Sequence, residues 1–500
     1  MKYKLLSIMA LGAATAVNAQ VLYVDSNITS DTIWGDNETD VVLEGPIFVK
    51  DGATLTIRPG TIVRGQPRST ALGDPGSLVV TNSGRVIADG DVNNPIIFTT
   101  AAIDTDDDGL PEGDGNNLLP YTVAGDEDFW DFDPLNSPRP VTLSADIDGG
   151  TGVNPATTAE MWGGLLILGQ APTNLGIDGT RAVGNPAAGI GHIEGLPKSA
   201  DTQYGGPIAN DDSGVYRYIS VRHGGEVLGT DNEINGITMA GVGYGTTMEF
   251  CEVYVTWDDG FEWFGGTING NNLAVFHAGD DQFDGDQGWI GQVQFALAVM
   301  PYNGVGSSGG DEGFEFDGDD APDVNEDLDG NPAPLANYTF ANFTIVGGTG
   351  ATGYVAGETA GELGRILLKN NFSGQLYNGY IVNPKADVFS ITSPNPVVLD
   401  SITVKDGASL GFDPASPPSN VTANNIVTDG LGLIGEDAGA IGGLNPRPIN
   451  TFGAPGVNSD LVLGDQFQTV SYRGAFDPST SRSLWTTGWT SLNKAGILVD

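Results

Sequence analysis

The chain has 500 residues, enough to bury a large core and long enough for several domains. Its formal charge is −44, from 64 acids against 20 bases, which argues against nucleic acid and anionic membrane surfaces as partners. One Cys excludes an internal disulfide and a Cys-based metal site.

Taken in chain order, the first residues have the form of an export signal. Lys2 and Lys4 precede an apolar stretch from Leu5 to Val17, and Val17-Asn18-Ala19 suits cleavage before Gln20. The expected division is therefore a signal peptide at 1–19 and a mature chain from 20, with no transmembrane segment, because no apolar run is long enough to span a bilayer. Residues 20–100 read as short strands separated by tight turns. Ile47-Phe48-Val49, Leu55-Thr56-Ile57 and Leu78-Val79-Val80 are strands; Asp51-Gly52, Pro59-Gly60 and Asp89-Gly90 are turns. Strands this short suit a solenoid in which each coil buries its inward side chains against its neighbours.

Residues 101–160 break the rhythm and read as an acidic loop insertion. The insertion contains Asp104, Asp106 and Asp108 in a D-x-D-x-D-G string, with oxygen donors at alternate positions as Ca²⁺ requires. The rhythm resumes over 161–440, the main β-helix. A second calcium-like string there holds Asn325, Asp327 and Asp329. Later coils place Asn342, Asn371 and Asn425 at or beside turns, which suggests an Asn ladder. Residues 441–500, with Trp485 and Trp489, read as a C-terminal cap over the open end. The fold expected is all-β, a right-handed parallel β-helix with an acidic loop insertion and a C-terminal cap.

An acidic motif recurs within the main coils: Asp258-Asp259-Gly260-Phe261-Glu262, Asp280-Asp281-Gln282-Phe283-Asp284, and Asp311-Glu312-Gly313-Phe314-Glu315. The first step, 258 to 280, is one coil of a β-helix; the second, 280 to 311, is a coil with a loop. Stacked coils lie about 4.8 Å apart. Three columns of carboxylates therefore run up one wall: 258/280/311, 259/281/312 and 262/284/315. No Lys or Arg occurs from His223 to Gly364, and Arg222, Arg365 and Lys369 stand only at the margins of this stretch. The choices are Ca²⁺, shared protons or hydration. A ladder that only stabilises the helix is the competing reading.

Thr256-Trp257-Asp258-Asp259-Gly260-Phe261-Glu262 and Gly279-Asp280-Asp281 resemble the acidic segments of polygalacturonase-like glycoside hydrolases. That resemblance implies Asp258, Asp280 and Asp281 as a catalytic trio for inverting hydrolysis. The family's G-H-G is replaced here by Asn303-Gly304-Val305-Gly306-Ser307-Ser308. Pectate-lyase-like β-helices also carry acidic Ca²⁺ sites, but their β-elimination needs an Arg or Lys base, which this sequence stretch lacks. Trp162-Gly163-Gly164-Leu165, Gly260 to Gly266 and Trp485 to Thr490 resemble a group of secreted β-helix proteins of Gram-negative bacteria. That likeness implies export and the β-helix, and brings no activity with it.

The sequence thus points to an exported protein of the periplasm, outer-membrane surface or extracellular space that binds Ca²⁺ and engages polysaccharide or cell-surface glycan. Trp263, Phe264 and Trp289 are the sugar-stacking candidates. A polysaccharide hydrolase and a purely structural envelope protein are the alternatives.

Overall fold

The computed structural model describes residues 20–36, 38–67, 74–101, 161–175, 189–229, 232–300, 312–318, 334–347, 364–384, 387–405, 409–429, 433, 443–449, 467–494 and 498–500. They form a right-handed parallel β-helix. One wall is a nine-stranded sheet in which each strand comes from a successive coil, from Pro46–Val49 at one end to Phe389–Ile391 at the other. Its pairing is parallel throughout: Phe261 lies beside Phe283, and Phe283 beside Phe314.

Period-2 alternation explains why these short strands hold together. In Phe261–Phe264, Phe261 and Trp263 turn inward and are fully buried. Rings then stack up the interior: Phe261 on Phe283 at 5.5 Å and Trp263 on Trp289 at 4.4 Å between centroids. Each such pair adds about 0.5–1.5 kcal/mol beyond the area it buries.

The other walls are made by longer strands that bend. Gly214–Gly224, Thr247–Thr256, Gly270–Phe276, Gln292–Val299 and Asn337–Val346 pair in parallel on both sides of one skipped residue. The skipped residues are left-handed: Tyr218 (φ 49°), Phe250 (54°), Asn272 (57°), Phe295 (61°) and Asn342 (56°), continued by Asn378 (53°), Ser401 (60°) and Asn425 (51°). Asn tolerates this conformation because its short amide bonds locally. The expected Asn ladder therefore contains Asn342 and Asn425. Asn371 is also left-handed, at 63°, but sits in a different turn, after the strand Arg365–Lys369.

Two covers lie on the flanks of the solenoid. Leu175, Ile193 and Tyr204 pack over Leu166, Leu168, Ala240 and Phe264 on the outside of the nine-stranded sheet. On the bent sheet, Ala475, Phe476, Leu484 and Leu492 pack over Tyr254, Ala274, Phe276, Leu297 and Tyr380. The described C-terminal residues thus form a strap along the side of the coils. The described residues of 467–494 run beside successive coils: Trp489 meets Tyr218 edge-on at 5.5 Å, Tyr472 stacks on Phe295 at 6.5 Å, and the Gly474 amide donates to the Asn378 carbonyl at 2.7 Å. The bend leaves aromatic residues on the outside of the coils, and the strap covers them. At the strap's last turn, the buried Glu252 carboxylate accepts the amides of Ser491 at 2.8 Å and Leu492 at 3.0 Å.

Candidate functional site: an acidic wall

The first two copies of the acidic motif occupy the turns into two strands of the nine-stranded sheet, Phe261–Phe264 and Phe283–Asp286, and Gly260 has a steric cause. A Cβ at Gly260 would lie 2.5 Å from the Gln282 carbonyl and 2.6 Å from the Val275 side chain. The turn therefore presses on the next coil and leaves no room for a side chain. Glu262, Asp284 and Glu315 are register partners, as the spacing predicts. The second column is stitched by its own side chains. Asp259 Oδ1 accepts the Asp281 amide at 2.8 Å, and Asp281 Oδ1 accepts the Glu312 amide at 3.1 Å. Asp258 and Asp280 flank it and are half-buried.

Three groups of carboxylates could hold a metal ion: Asp258/Asp259/Asp280, Asp259/Glu262/Asp284 and Asp281/Glu312/Glu315. In each, one oxygen per residue lies within 4.8 Å of the others. Asp259 is 7 % exposed, Glu262 7 %, Asp281 5 % and Glu312 3 %. Burial pushes the carboxyls of Asp259, Glu262 and Asp281 well above the usual range. Neighbouring acids push the same way: Asp258, Asp284 and Asp280 on Asp259, and Glu194, Asp259 and Asp284 on Glu262. Oxygen donors packed this closely suit a hard divalent cation.

Two neighbours were not legible from the motif. Asn235, one coil below, donates its amide to Glu262 and accepts the Asp259 backbone amide at 3.1 Å. Glu194 comes from the flanking cover. The upper end of the wall also corrects the expectation that no base reaches it. Arg365 pairs with Glu312, and Lys369 lies 2.5 Å from Glu315 and 3.2 Å from Asp317. Both bases are far along the chain, yet their strand, Arg365–Lys369, is the next one in the sheet. For Lys369, burial acts to lower the pKa, and Asp317 and Glu315 outweigh it, so the ammonium stays protonated. The Asp281/Glu312/Glu315 group is thus partly closed by cations.

The stacking candidates are corrected. Trp263 and Trp289 are fully buried and stack on each other inside the coil. Phe264 is buried under Tyr204, at 6.3 Å between ring centroids. Trp263 points inward because it alternates with Glu262, and Phe264 is claimed by the flanking cover. Asp104, Asp106, Asp108, Asp311, Asn325, Asp327 and Asp329 lie outside the described residues. His277 and His223 are buried, and Cys251 is a buried free thiol. Among the described residues, no helix is long and apolar enough to cross a membrane.

A family model described as a pectate-lyase like beta helix domain matches residues 26–110 and 150–388. Among solved structures, the chain is similar to the full-length tailspike protein 2 of Escherichia coli O157:H7 bacteriophage CAB120, at 8 % identity and a TM-score of 0.23. The match covers 80 % of this chain and 43 % of the tailspike, so the chain spans less than half of that protein's length. No curated protein matches. The family match takes in both the first coils and the coils that carry the acidic wall, and covers more than half of the sequence. The chain belongs to the pectate-lyase-like β-helix domain family.

Proposed function

We propose that the acidic wall binds Ca²⁺ and that this is an exported β-helix protein that engages acidic polysaccharide or other cell-surface glycan through it. The observation that carries the reading is the two carboxylate groups that share Asp259, in each of which one oxygen per residue lies within 4.8 Å of the others, with Asp259 and Glu262 buried. Carboxylates packed this closely repel one another, and ionising the buried ones is costly. A divalent ion offsets the repulsion of the whole column at once and keeps free positions for ligand oxygens. The family's description supports a polysaccharide partner, and a β-helix offers a long rigid wall to an extended chain.

The hydrolytic alternative fits the geometry less well. An inverting pair of carboxyls stands about 6.5–9.5 Å apart to admit water, whereas Asp258 and Asp280 bring oxygens within 4.8 Å of each other. Asp281 is buried and engaged with the Glu312 amide. Lys369, held protonated, serves as a counter-charge and not as a base for β-elimination. The test is thermal unfolding of the mature protein in EGTA and in millimolar Ca²⁺, with Mg²⁺ at matched ionic strength. A Ca²⁺-specific rise in melting temperature is expected, because a ligand of the folded state stabilises it. Equal curves in all three would overturn the metal reading. Asp280→Asn then separates the alternatives: loss of the Ca²⁺ increment in melting temperature with no turnover to lose supports the metal wall, and loss of turnover with that increment intact supports a hydrolase.

A further inference from the structure

We propose that the C-terminal strap and the bent sheet beneath it form a second binding site that holds a single sugar-acid residue, its carboxylate on Arg482 and its ring against aromatic walls. The site does not depend on the acidic wall. It is a cavity of about 180 Å³ between the left-handed column and the strap. That is below the ~300–1,000 Å³ of drug-sized ligand sites, so it suits one sugar ring and not a run of them.

The floor is Asn272, between Phe250 below and Phe295 above on the same column. Asn272 is 6 % exposed, and its side-chain amide has no hydrogen-bond partner among the described residues. Two coils up the same column, Asn342 shows the satisfied case. Its amide donates to the Tyr472 carbonyl at 2.9 Å and its oxygen accepts from Gln294 at 3.1 Å. The strap thus completes one Asn and leaves the other facing a cavity. The Asn272 side chain lines the cavity, where a ligand hydroxyl would meet its amide.

The walls are held in place before any ligand arrives. Trp485 stacks on Phe476 at 5.2 Å and 7°, and its indole N–H donates to the Ala475 carbonyl at 3.0 Å. Gln294 clamps Gln468 from both sides, donating to its carbonyl at 2.7 Å and accepting its amide at 2.8 Å. Such fixed walls lower the cost of ordering a ligand.

Charge selects the ligand class. Arg447 also lines the cavity but is held by Asp500 at 3.0 Å and Asn445 at 3.1 Å. Arg482 is exposed at the rim and forms no ion pair among the described residues. A planar guanidinium matches a carboxylate in two parallel bonds. Asp477, also lining the cavity, is an acceptor for sugar hydroxyls. A neutral sugar would leave Arg482 unmatched; a plain aromatic acid would leave Asn272 and Asp477 unmatched.

The experiment is calorimetric titration of the mature protein in EGTA with D-galacturonate and D-glucuronate, with D-galactose and benzoate as controls. Saturable binding of a sugar acid is expected, with D-galactose and benzoate weaker by about tenfold or more. Arg482→Gln and Asn272→Gly should each weaken the sugar acid at least severalfold while melting like the parent, since one side chain is exposed and Gly accepts the left-handed backbone. Asp259→Asn should leave this binding unchanged. No saturable binding, equal binding of D-galactose or benzoate, or a need for Ca²⁺ or for Asp259 overturns the proposal. The Ca²⁺ melts read the acidic wall separately, so each can fail without the other.

Discussion

Replacing Asp259 by Asn tests the acidic wall most sharply, because the effect should change sign with calcium. Asp259 belongs to two of the three carboxylate groups. Asn keeps an oxygen in place of the one that accepts the Asp281 amide at 2.8 Å, so the turn loses charge and not its stitch. Two unit charges 4.8 Å apart repel by about 3.5 kcal/mol at an effective dielectric near 20. Protonation relieves part of that, since burial and the neighbours Asp258, Asp284 and Asp280 already raise the Asp259 carboxyl. Removing the charge should therefore stabilise the ion-free protein by about 1–3 kcal/mol. Calcium at a hundred times its dissociation constant stabilises the parent by about 2.7 kcal/mol, and the variant, with one ligand oxygen and one charge fewer in both groups, should lose most of that. Denaturant midpoints measured in EGTA and in Ca²⁺ should cross: the variant above the parent without the ion, below it with the ion. A variant weaker in both conditions, or equal calcium increments in both proteins, would refute the reasoning, and a matching response to Mg²⁺ would reduce the effect to screening.

Other consequences follow from the same structure. In EGTA, stability should fall as pH rises, because Asp259, Glu262 and Asp281 have folded pKa values raised above the unfolded range, so the folded state holds more protons over that interval; saturating Ca²⁺ should flatten the slope near neutrality in the same denaturation series. His277 works in the opposite sense: burial pushes it down to about 4, so its contribution is complete above the unfolded pKa of about 6.5 and about 3 kcal/mol of it is lost as pH falls through the window to 4. His277→Asn, which tolerates the left-handed φ of 57°, should remove that acid-side loss when stability is followed from about pH 7 to pH 4. Arg365→Gln strips the partner from Glu312, which is 3 % exposed, and should cost about 3–5 kcal/mol in EGTA with partial rescue by Ca²⁺ as the upper group opens to the ion. Glu252→Ala leaves the Ser491 and Leu492 amides without their acceptor; at about 1.5–3 kcal/mol per charge-assisted bond the strap should loosen first, seen as proteolysis within 467–494 while the coils stay resistant.

The coils were legible because their signal is local and periodic. Phe261 and Trp263 alternate with Glu262, and the same alternation recurs one coil on, so strand and register follow from the spacing of the acidic motif, whereas Trp263, expected to stack on sugar, points inward. The carboxylate columns follow for the same reason: a repeat that stacks in register places like residues on like. What sequence spacing does not carry is which part of the chain comes to lie on the outside of a coil. Phe264 alternates outward and reads as exposed, but Tyr204, some sixty residues earlier, covers it. The aromatic residues of the left-handed column point outward and are closed by a strap from the far end of the chain, which no local spacing signals.

Charge balance failed to show for the same topological reason. Arg365 follows Glu312 by 53 positions, and a count along the chain puts it beyond the acidic stretch. In the solenoid the strand Asn337–Val346 lies between them along the chain, so Glu312–Asp317 and Arg365–Lys369 are neighbours in the nine-stranded sheet and the pair forms. A charge run in a solenoid must therefore be balanced coil against coil, not residue against residue. On that basis the acids of the wall are not equivalent. Those of the upper coil have Arg365 and Lys369 one strand away. Those around Asp259 face Thr238 and Asn235 on the coil below, neither of which carries a charge. The two groups that share Asp259 span the coils of Asp258 to Asp284, and an ion held by them should be sensed there.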